Sequence, residues 1–187
     1  MGDPRRLRKK LVGPRHPFSK TRIEEEMKYI GNFGLRNKKE IWKAQTILRN
    51  FRARARASLA LPEHQREGER LILVKKLYRM GIMPNEDGLI DEVLSLTIEQ
   101  FLKRRLQSIV HELGLAKSPW QARQMITHGH IAIRGKKVTS PSYHVTRGEE
   151  ELIKYAPSSS YNDPTHPALT LPPSSSPAAS SNISMED

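Results

Sequence analysis

The 187-residue chain contains no cysteine. Without a thiol it can hold no disulfide, thiolate zinc site, iron–sulfur cluster or cysteine nucleophile. Long hydrophobic runs are missing as well, since the longest is the four-residue run Leu71–Val74, whereas a membrane-spanning helix needs about 20 apolar residues. No apolar signal core follows the charges of the first residues, so we expect a soluble, cytoplasmic protein rather than an exported one.

Positive charge is what the chain has in excess. It carries 32 Lys and Arg against 20 Asp and Glu, a formal net charge of +12. The excess lies in two zones, because residues 1–60 carry a net +12 and residues 104–156 a net +5, while residues 61–103 and 157–187 are slightly negative. A solvated basic face would explain either zone alone, but two separate zones favour a nucleic-acid partner.

The first half of the chain predicts a basic arm followed by a helical domain. Residues 1–20 combine repelling charges with three prolines and predict an extended arm. Residues 21–96 predict a helical domain whose first helix begins near residues 20–22 and ends near Gly31. Two further helices are predicted over Lys38–Leu59 and Glu63–Arg79 by apolar residues at steps of three and four.

The second half predicts a small mixed domain and a tail. Over residues 97–156, a capping box at Thr97 and Gln100 predicts a helix to Gly114, and Ser118 with Pro119 predicts a second one. Short strands follow near residues 130–133, 137–138, 144–145 and 151–155, with a hairpin turn at Arg134–Gly135. Residues 157–187, which are rich in Ser and Pro, predict a disordered tail. The expected fold class is α+β.

The search for catalytic and metal-binding motifs returns no positive signal. His111-Glu112 begins like a zinc-binding helix motif, but position 115 is leucine. His128 and His130 have no third ligand at a useful spacing. The acidic turn around Glu86 is better explained by helix capping and the helix dipole than by magnesium. We therefore predict no catalytic residue, no cofactor and no metal.

A set of basic and polar residues is instead suited to contacting phosphate. Arginine can grip phosphate through two hydrogen bonds, a helix N-terminus offers free backbone N–H groups, and Gln, Ser and His add neutral hydrogen bonds. The candidate nucleic-acid-binding residues are Arg5, Arg6, Arg8, Lys9, Lys10 and Arg15 in the arm, Arg49, Arg52, Arg54 and Arg56 in the second helix, and Arg104, Arg105, Ser118, Gln121, Arg123, Gln124, His128, Lys136 and Lys137 in the mixed domain.

Several motifs resemble those of a known family. They are Met1-Gly2-Asp3-Pro4, Pro14-Arg15-His16-Pro17, Arg104-Arg105-Leu106-Gln107, Ala122-Arg123-Gln124, His128-Gly129-His130-Ile131 and Thr139-Ser140-Pro141-Ser142-Tyr143. Residues 97–155 resemble the αL-shaped RNA-binding domain, two helices and a small twisted antiparallel sheet, named after small-subunit ribosomal protein S-four. The pattern over residues 1–156 resembles the archaeal form of that ribosomal family.

The resemblance implies a function and partners. Members of the family bind small-subunit ribosomal RNA at a helix junction of its 5′ domain, nucleate assembly, contribute to translational accuracy and contact ribosomal protein S-five. The zinc site of some bacterial members needs cysteines that this chain lacks. Arg134 replaces the Asn often found before Gly135, and because arginine tolerates positive φ poorly, the resemblance leads us to expect another turn type here.

Some alternatives stay open at the level of sequence. The same docking domain occurs in RNA-modifying enzymes, and a basic protein could also compact DNA. Trp120 is suited either to stacking on a base or to shielding a small core, and Trp42 to a core or inter-helix contact.

Overall fold

The computed structural model describes residues 11–163 and His166. It contains seven α-helices in the described part of the chain: α1 Lys20–Phe33, α2 Lys38–Leu59, α3 Glu63–Arg79, α4 Ile90–Ser95, α5 Ile98–Lys103, α6 Leu106–Glu112 and α7 Pro119–Thr127. Three short strands follow, β1 Ile131–Ile133, β2 Lys136–Lys137 and β3 Ile153–Tyr155. Two 3₁₀ helices, Arg147–Leu152 and Ser160–Asn162, flank β3. The predicted α+β class is confirmed.

Helix α2 is the axis of the first hydrophobic core. Its buried residues recur at steps of three and four and are Ile41, Ala44, Leu48, Phe51, Ala55 and Ser58, the spacing of one helical face. Side chains from the segment that follows α1 and from α3, α4 and α5 pack into the same core. The predicted bounds of α2 and α3 are confirmed. Apolar periodicity was a sufficient signal here because both helices are long and amphipathic.

Helix α1 is joined to α2 by a buried carboxylate. Glu26 is only 2% exposed; it accepts hydrogen bonds from Arg22 Nη1 at 2.6 Å and from the indole Nε1 of Trp42 at 3.0 Å. The predicted inter-helix role of Trp42 is confirmed. The helix extends past Gly31 to Phe33, and Gly34 ends it with φ +58°. Glu26 therefore ties the two helices together.

The single helix predicted from Thr97 to Gly114 is wrong, since the chain forms two helices with a break at Arg104 and Arg105. The capping box at Thr97 and Gln100 is present and starts α5. At the break, Arg104 O accepts from the backbone N–H of Val145 at 3.0 Å, and Leu106 N–H donates to Tyr143 O at 2.8 Å. Backbone pairing with a distant segment thus replaces helical hydrogen bonds. The strand expected at 144–145 is reduced to one bridge, Arg105 to His144.

The second core lies between α6, α7 and the sheet. Its buried residues are Leu106, Ile109, Val110, Ala116, Ala122, Met125, Ile126, Ile131, Ile133, Val145 and Ile153. The sheet is antiparallel with strand order β2-β1-β3, and Ile133 pairs with Lys136 and with Ile153. Ser118 caps α7 by accepting from Gln121 N–H at 3.2 Å, as the Ser-Pro pair predicts.

The β1–β2 turn has positive φ at both central residues, +51° at Arg134 and +76° at Gly135. These angles belong to the type I′ turn that two-residue hairpins favour. The expectation of another turn type is therefore wrong: the right-handed twist of the two strands imposes positive φ on an arginine.

Residues 157–163 pack back on the sheet, so the predicted disorder does not begin at Pro157. Ser159 is buried, and its Oγ lies 3.0 Å from Nδ1 of His130. The ring of Tyr161 meets His130 edge-on with centroids 4.8 Å apart and stacks near Tyr155 at 6.0 Å. Aromatic partners on the sheet order this part of a Ser- and Pro-rich segment. Except for His166, the predicted tail beyond residue 163 lies outside the described residues.

Candidate nucleic-acid interface

Helix α2 presents three of its four candidate arginines to solvent. Arg49, Arg54 and Arg56 are exposed. Arg52 is turned inward instead, and its Nη2 donates to the carbonyl of Leu96 at 2.6 Å, an acceptor in the turn after α4. The exposed three lie among alanines at 53 and 57, and such small neighbours let a phosphate backbone approach the helix closely.

The basic arm lies partly outside the described residues. Arg5, Arg6, Arg8, Lys9 and Lys10 belong to residues 1–10, which the structure does not describe. Beyond them, Val12 N–H donates to Oγ1 of Thr46 at 3.0 Å, which attaches residues 11–19 to α2. Arg15 is exposed in this segment. The described end of the arm is therefore held at Val12 against the helix that carries Arg49.

Two of the motif arginines converge on one carboxylate. Arg105 Nη2 lies 2.6 Å from Glu40 Oε2, and Arg123 Nη2 lies 2.8 Å from Glu40 Oε1. The side chain of Arg105 is 5% exposed and that of Glu40 16%. Burial alone would raise the pKa of Glu40, but the hydrogen bond from Arg123 and the charge of Arg105 outweigh it and hold this pKa below its ordinary value. Both guanidinium groups are thus engaged within the protein.

Gln107 completes this cluster and was absent from the predicted set. It is 1% exposed; its Nε2 donates to Gly34 O at 2.7 Å and Pro119 O at 2.9 Å, and its Oε1 accepts from Arg123 at 3.2 Å. A Cβ at Gly34 would lie 2.8 Å from Gln107 Nε2, so only glycine fits there. In the sequence, Gln107 stands close to two arginines in a motif that resembles an RNA-binding one. Nothing in this local pattern indicates a role inside the protein.

A cavity of about 270 Å³ opens beside the cluster. It is lined by Lys43, Arg105, Arg123, Ser142 and His144 among others. Burial first, and then the charges of Arg105 and Arg104, lower the pKa of His144, so its imidazole is neutral near pH 7.

Three more predicted residues have internal partners. Arg104 Nη2 donates to Val145 O at 3.0 Å and pairs with Glu150. The Ser118 hydroxyl is used in capping α7, and Gln121 Oε1 accepts from Lys117 N–H at 2.8 Å. Ser118 and Gln121 thus shape the N-terminus of α7, whereas Arg104 joins the α5–α6 break to residues 145 and 150. Contact of the three side chains with RNA stays a prediction.

The face formed by α7 and the hairpin is open to solvent. Gln124, His128, Lys136 and Lys137 are all exposed. Trp120 is 50% exposed and is not among the hydrophobic residues packed against either core. The exposure of Trp120 does not support the core-shielding interpretation, and its stacking on a base stays a prediction. The structure thus places four of the predicted residues, Gln124, His128, Lys136 and Lys137, on the exposed surface of one domain.

The described residues show neither a metal centre nor a membrane span. No three His, Asp or Glu side chains within residues 11–163 and His166 lie close enough together to hold a metal ion. Among the same residues, no helix is both long and apolar enough to cross a bilayer.

Comparisons with known proteins cover nearly the whole described chain. Residues 4–103 match the family model of the ribosomal protein S4/S9 N-terminal domain, and residues 104–151 match that of the S4 domain. The change from one model to the other falls at the break between α5 and α6, where the first core gives way to the second.

Curated relatives match over most of their own length. The small ribosomal subunit protein uS4 of Sulfolobus acidocaldarius is 56% identical over 161 residues, covering 86% of this chain and 92% of the relative. The proteins of the same name from Ignicoccus hospitalis and Sulfurisphaera tokodaii are 56% and 51% identical, with 96% and 93% of their lengths covered. The resemblance seen in the motifs is thus confirmed, and the chain belongs to the uS4 family of small ribosomal subunit proteins.

Proposed function

We propose that this chain is a structural constituent of the small ribosomal subunit and binds small-subunit rRNA directly. The observation that carries the proposal is the 56% identity with the uS4 protein of Sulfolobus acidocaldarius over 161 residues, a span that takes in most of both matched family models. The exposed basic groups on α2 and on the hairpin suit the same role, because an RNA backbone is the polyanion that such surfaces attract.

In this proposal the basic and polar residues of the predicted set have two different tasks. The exposed ones bind RNA, and they are Arg15, Arg49, Arg54, Arg56, Gln124, His128, Lys136 and Lys137. Arg104, Arg105 and Arg123 hold the two cores together through Glu150 and Glu40. A bound RNA would then meet a preformed surface, which lowers the entropy lost on binding.

The resemblance also supports finer proposals. We propose that the RNA site is a helix junction in the 5′ domain of small-subunit rRNA, that ribosomal protein S-five is a neighbour, and that the chain acts in assembly and in translational accuracy. The corresponding location is the cytoplasmic ribosome. We propose no catalytic step, and a modified nucleoside produced by the purified chain on RNA would contradict this.

Binding of transcribed small-subunit rRNA tests the proposal directly. We expect tighter binding to that RNA than to random RNA of equal length at moderate salt, and co-sedimentation with small subunits through a high-salt wash. Lys136→Gln/Lys137→Gln should weaken binding, because it removes two phosphate partners.

The matched control is Lys28→Gln/Lys154→Gln, which removes the same charge from exposed positions outside the predicted set. Equal affinity of the unaltered chain for ribosomal and random RNA would refute the proposal. Equal affinity for duplex DNA in competition would instead favour a general nucleic-acid binder.

A further inference from the structure

A basic cleft lies between α3 and the 3₁₀ helix Arg147–Leu152. It encloses about 440 Å³ and is lined by Lys75, Tyr78, Arg79, Glu86, Thr146, Arg147 and Gly148. A neighbouring hollow shares Lys75, Arg79 and Thr146 and adds Lys76. One wall belongs to the first core and the other to the domain built on the second. None of these residues was among the candidates predicted from the sequence.

Three cations and one carboxylate line this cleft, and a fourth cation lines the neighbouring hollow. Lys75, Arg79 and Arg147 contribute the positive charge of the cleft and Glu86 the negative, while Lys76 belongs to the hollow. In the described part of the chain, none of the four is in an ion pair. Lys76 instead lies 5.8 Å from the ring centroid of Phe51. Lys75 and Arg79 are exposed and one helical turn apart on α3, about 5–6 Å between Cβ atoms.

Arg147 is held in place on the opposite wall. Its guanidinium carbon lies 4.2 Å from the centroid of the Tyr78 ring, and its Nη2 donates to Met83 O at 2.9 Å. Of the three carboxylates that follow it in the chain, two are engaged elsewhere: Glu149 accepts from Tyr143 and Thr146, and Glu150 pairs with Arg104. These two do not cancel the positive charge of the cleft, and the third, Glu151, is not among the residues that line it.

The charge of this region is concealed in the composition. Residues 61–103, which include α3, are slightly negative in total. The acidic residues of α3, Glu63, Glu67 and Glu69, lie in its first half, whereas Lys75, Lys76 and Arg79 lie near its end. Because Arg66 and Arg70 lie among these glutamates, the first part of α3 is nearly neutral and its end is positive, which the average over residues 61–103 conceals.

We propose that this cleft is a second RNA-binding surface, on which a phosphodiester backbone passes from α3 to Arg147. The inference rests on the proposed function, which supplies RNA as the polyanion. Unpaired cations with flexible stems on one wall and a planar guanidinium on the other suit phosphate oxygens. Occupancy would bridge the two halves of the molecule, since the walls belong to different halves.

The test is the salt dependence of binding to transcribed small-subunit rRNA. We expect Lys75→Gln/Arg79→Gln to reduce the slope of log affinity against log salt by about 1.4–1.8, because each phosphate contact contributes roughly 0.7–0.9. Both side chains are exposed, so a thermal melt should show an unchanged fold. Arg147 is left unaltered because it also supports Met83 and Tyr78.

Lys28→Gln/Lys154→Gln is again the matched control, and its slope should change by much less. An equal change in both double variants would mean a bulk charge effect and would overturn the inference. An unchanged slope in the cleft variant would also overturn it, because these two cations would then make no phosphate contact. If the unaltered chain prefers rRNA but the cleft variant keeps its slope, only the cleft inference fails. If the slope falls although the unaltered chain has no preference for rRNA, the cleft contact stands and the ribosomal proposal fails.

Discussion

Glu40 joins two arginines that are far from it in the chain. Its two oxygens contact Arg105 and Arg123, which follow it by 65 and 83 positions. If one partner of a buried ion pair is removed, the remaining charges stay buried without a partner. The resulting loss of stability is larger than the net stabilisation that the intact pair provides. The local architecture of the RNA-binding motif therefore depends on a carboxylate in the other half of the protein.

We expect Glu40→Gln to lower the free energy of unfolding by about 1–3 kcal/mol at pH 7. The pKa of Glu40 is held below its ordinary value of 4.5, so its contribution is present above that pH and is lost as pH falls through the folded-state value. Urea unfolding near pH 7 and near pH 3 measures both effects. The difference in the free energy of unfolding between the Glu40 variant and the unaltered chain should be smaller at the lower pH.

Glu67→Gln serves as the control, since Glu67 is exposed on α3 and should change stability little. The assigned role of the carboxylate would be contradicted if the Glu40 variant and the unaltered chain differed by the same free energy of unfolding at both pH values.

At the scale of elements, the segment 157–163 forms part of the second domain. Its Tyr161 covers His130, and Asn162 Nδ2 donates to Ala156 O at 2.9 Å. Burial, followed by the charges of His128, His166 and Lys137, lowers the pKa of His130. Tyr161 therefore contributes both to the packing of this segment and to the charge state of the His130 ring.

Tyr161→Ala should lower the free energy of unfolding by about 1–2 kcal/mol through lost ring contacts. It should also raise the pKa of His130 toward its ordinary value of 6.5, because water then reaches the imidazole. Guanidinium unfolding and an NMR titration of the His130 ring protons measure the two effects. Ser158→Ala, at an exposed neighbour, should change neither quantity, and a Tyr161 variant that behaves like it would rule out the packing described.

An element could be predicted from the sequence when nearby residues determine it, and could not when distant residues do. The approximate ranges predicted for α2 and α3 agree with the observed helices because apolar periodicity, Pro62 and Gly81 are local signals. The break at residues 104–105 was missed because it depends on pairing with residues 143–145. The exposed candidates on α2 and the hairpin were predicted from their type, whereas the internal roles of Arg105 and Gln107 require distant partners that no local pattern reveals.

At the scale of the whole molecule, the buried side-chain amide of Gln107 links the two hydrophobic cores. Gln107 reaches from α6 to the end of α1 and to the first turn of α7. Its carbonyl oxygen accepts from Arg123, which also contacts Glu40. Loss of the amide would leave the carbonyl of Gly34 buried without its donor, a cost of about 1–3 kcal/mol.

Gln107→Met keeps the volume of the side chain but removes both its donor and its acceptor. We expect the single unfolding transition of the unaltered chain to broaden or divide in two, because the cores lose the contact through which each stabilises the other. Differential scanning calorimetry measures this as a van't Hoff enthalpy that falls below the calorimetric enthalpy. Gln65→Met, an exposed change on α3, should leave the two enthalpies equal. A Gln107 variant that melts in one sharp transition would show that the two cores are coupled mainly through Glu40 and its arginines.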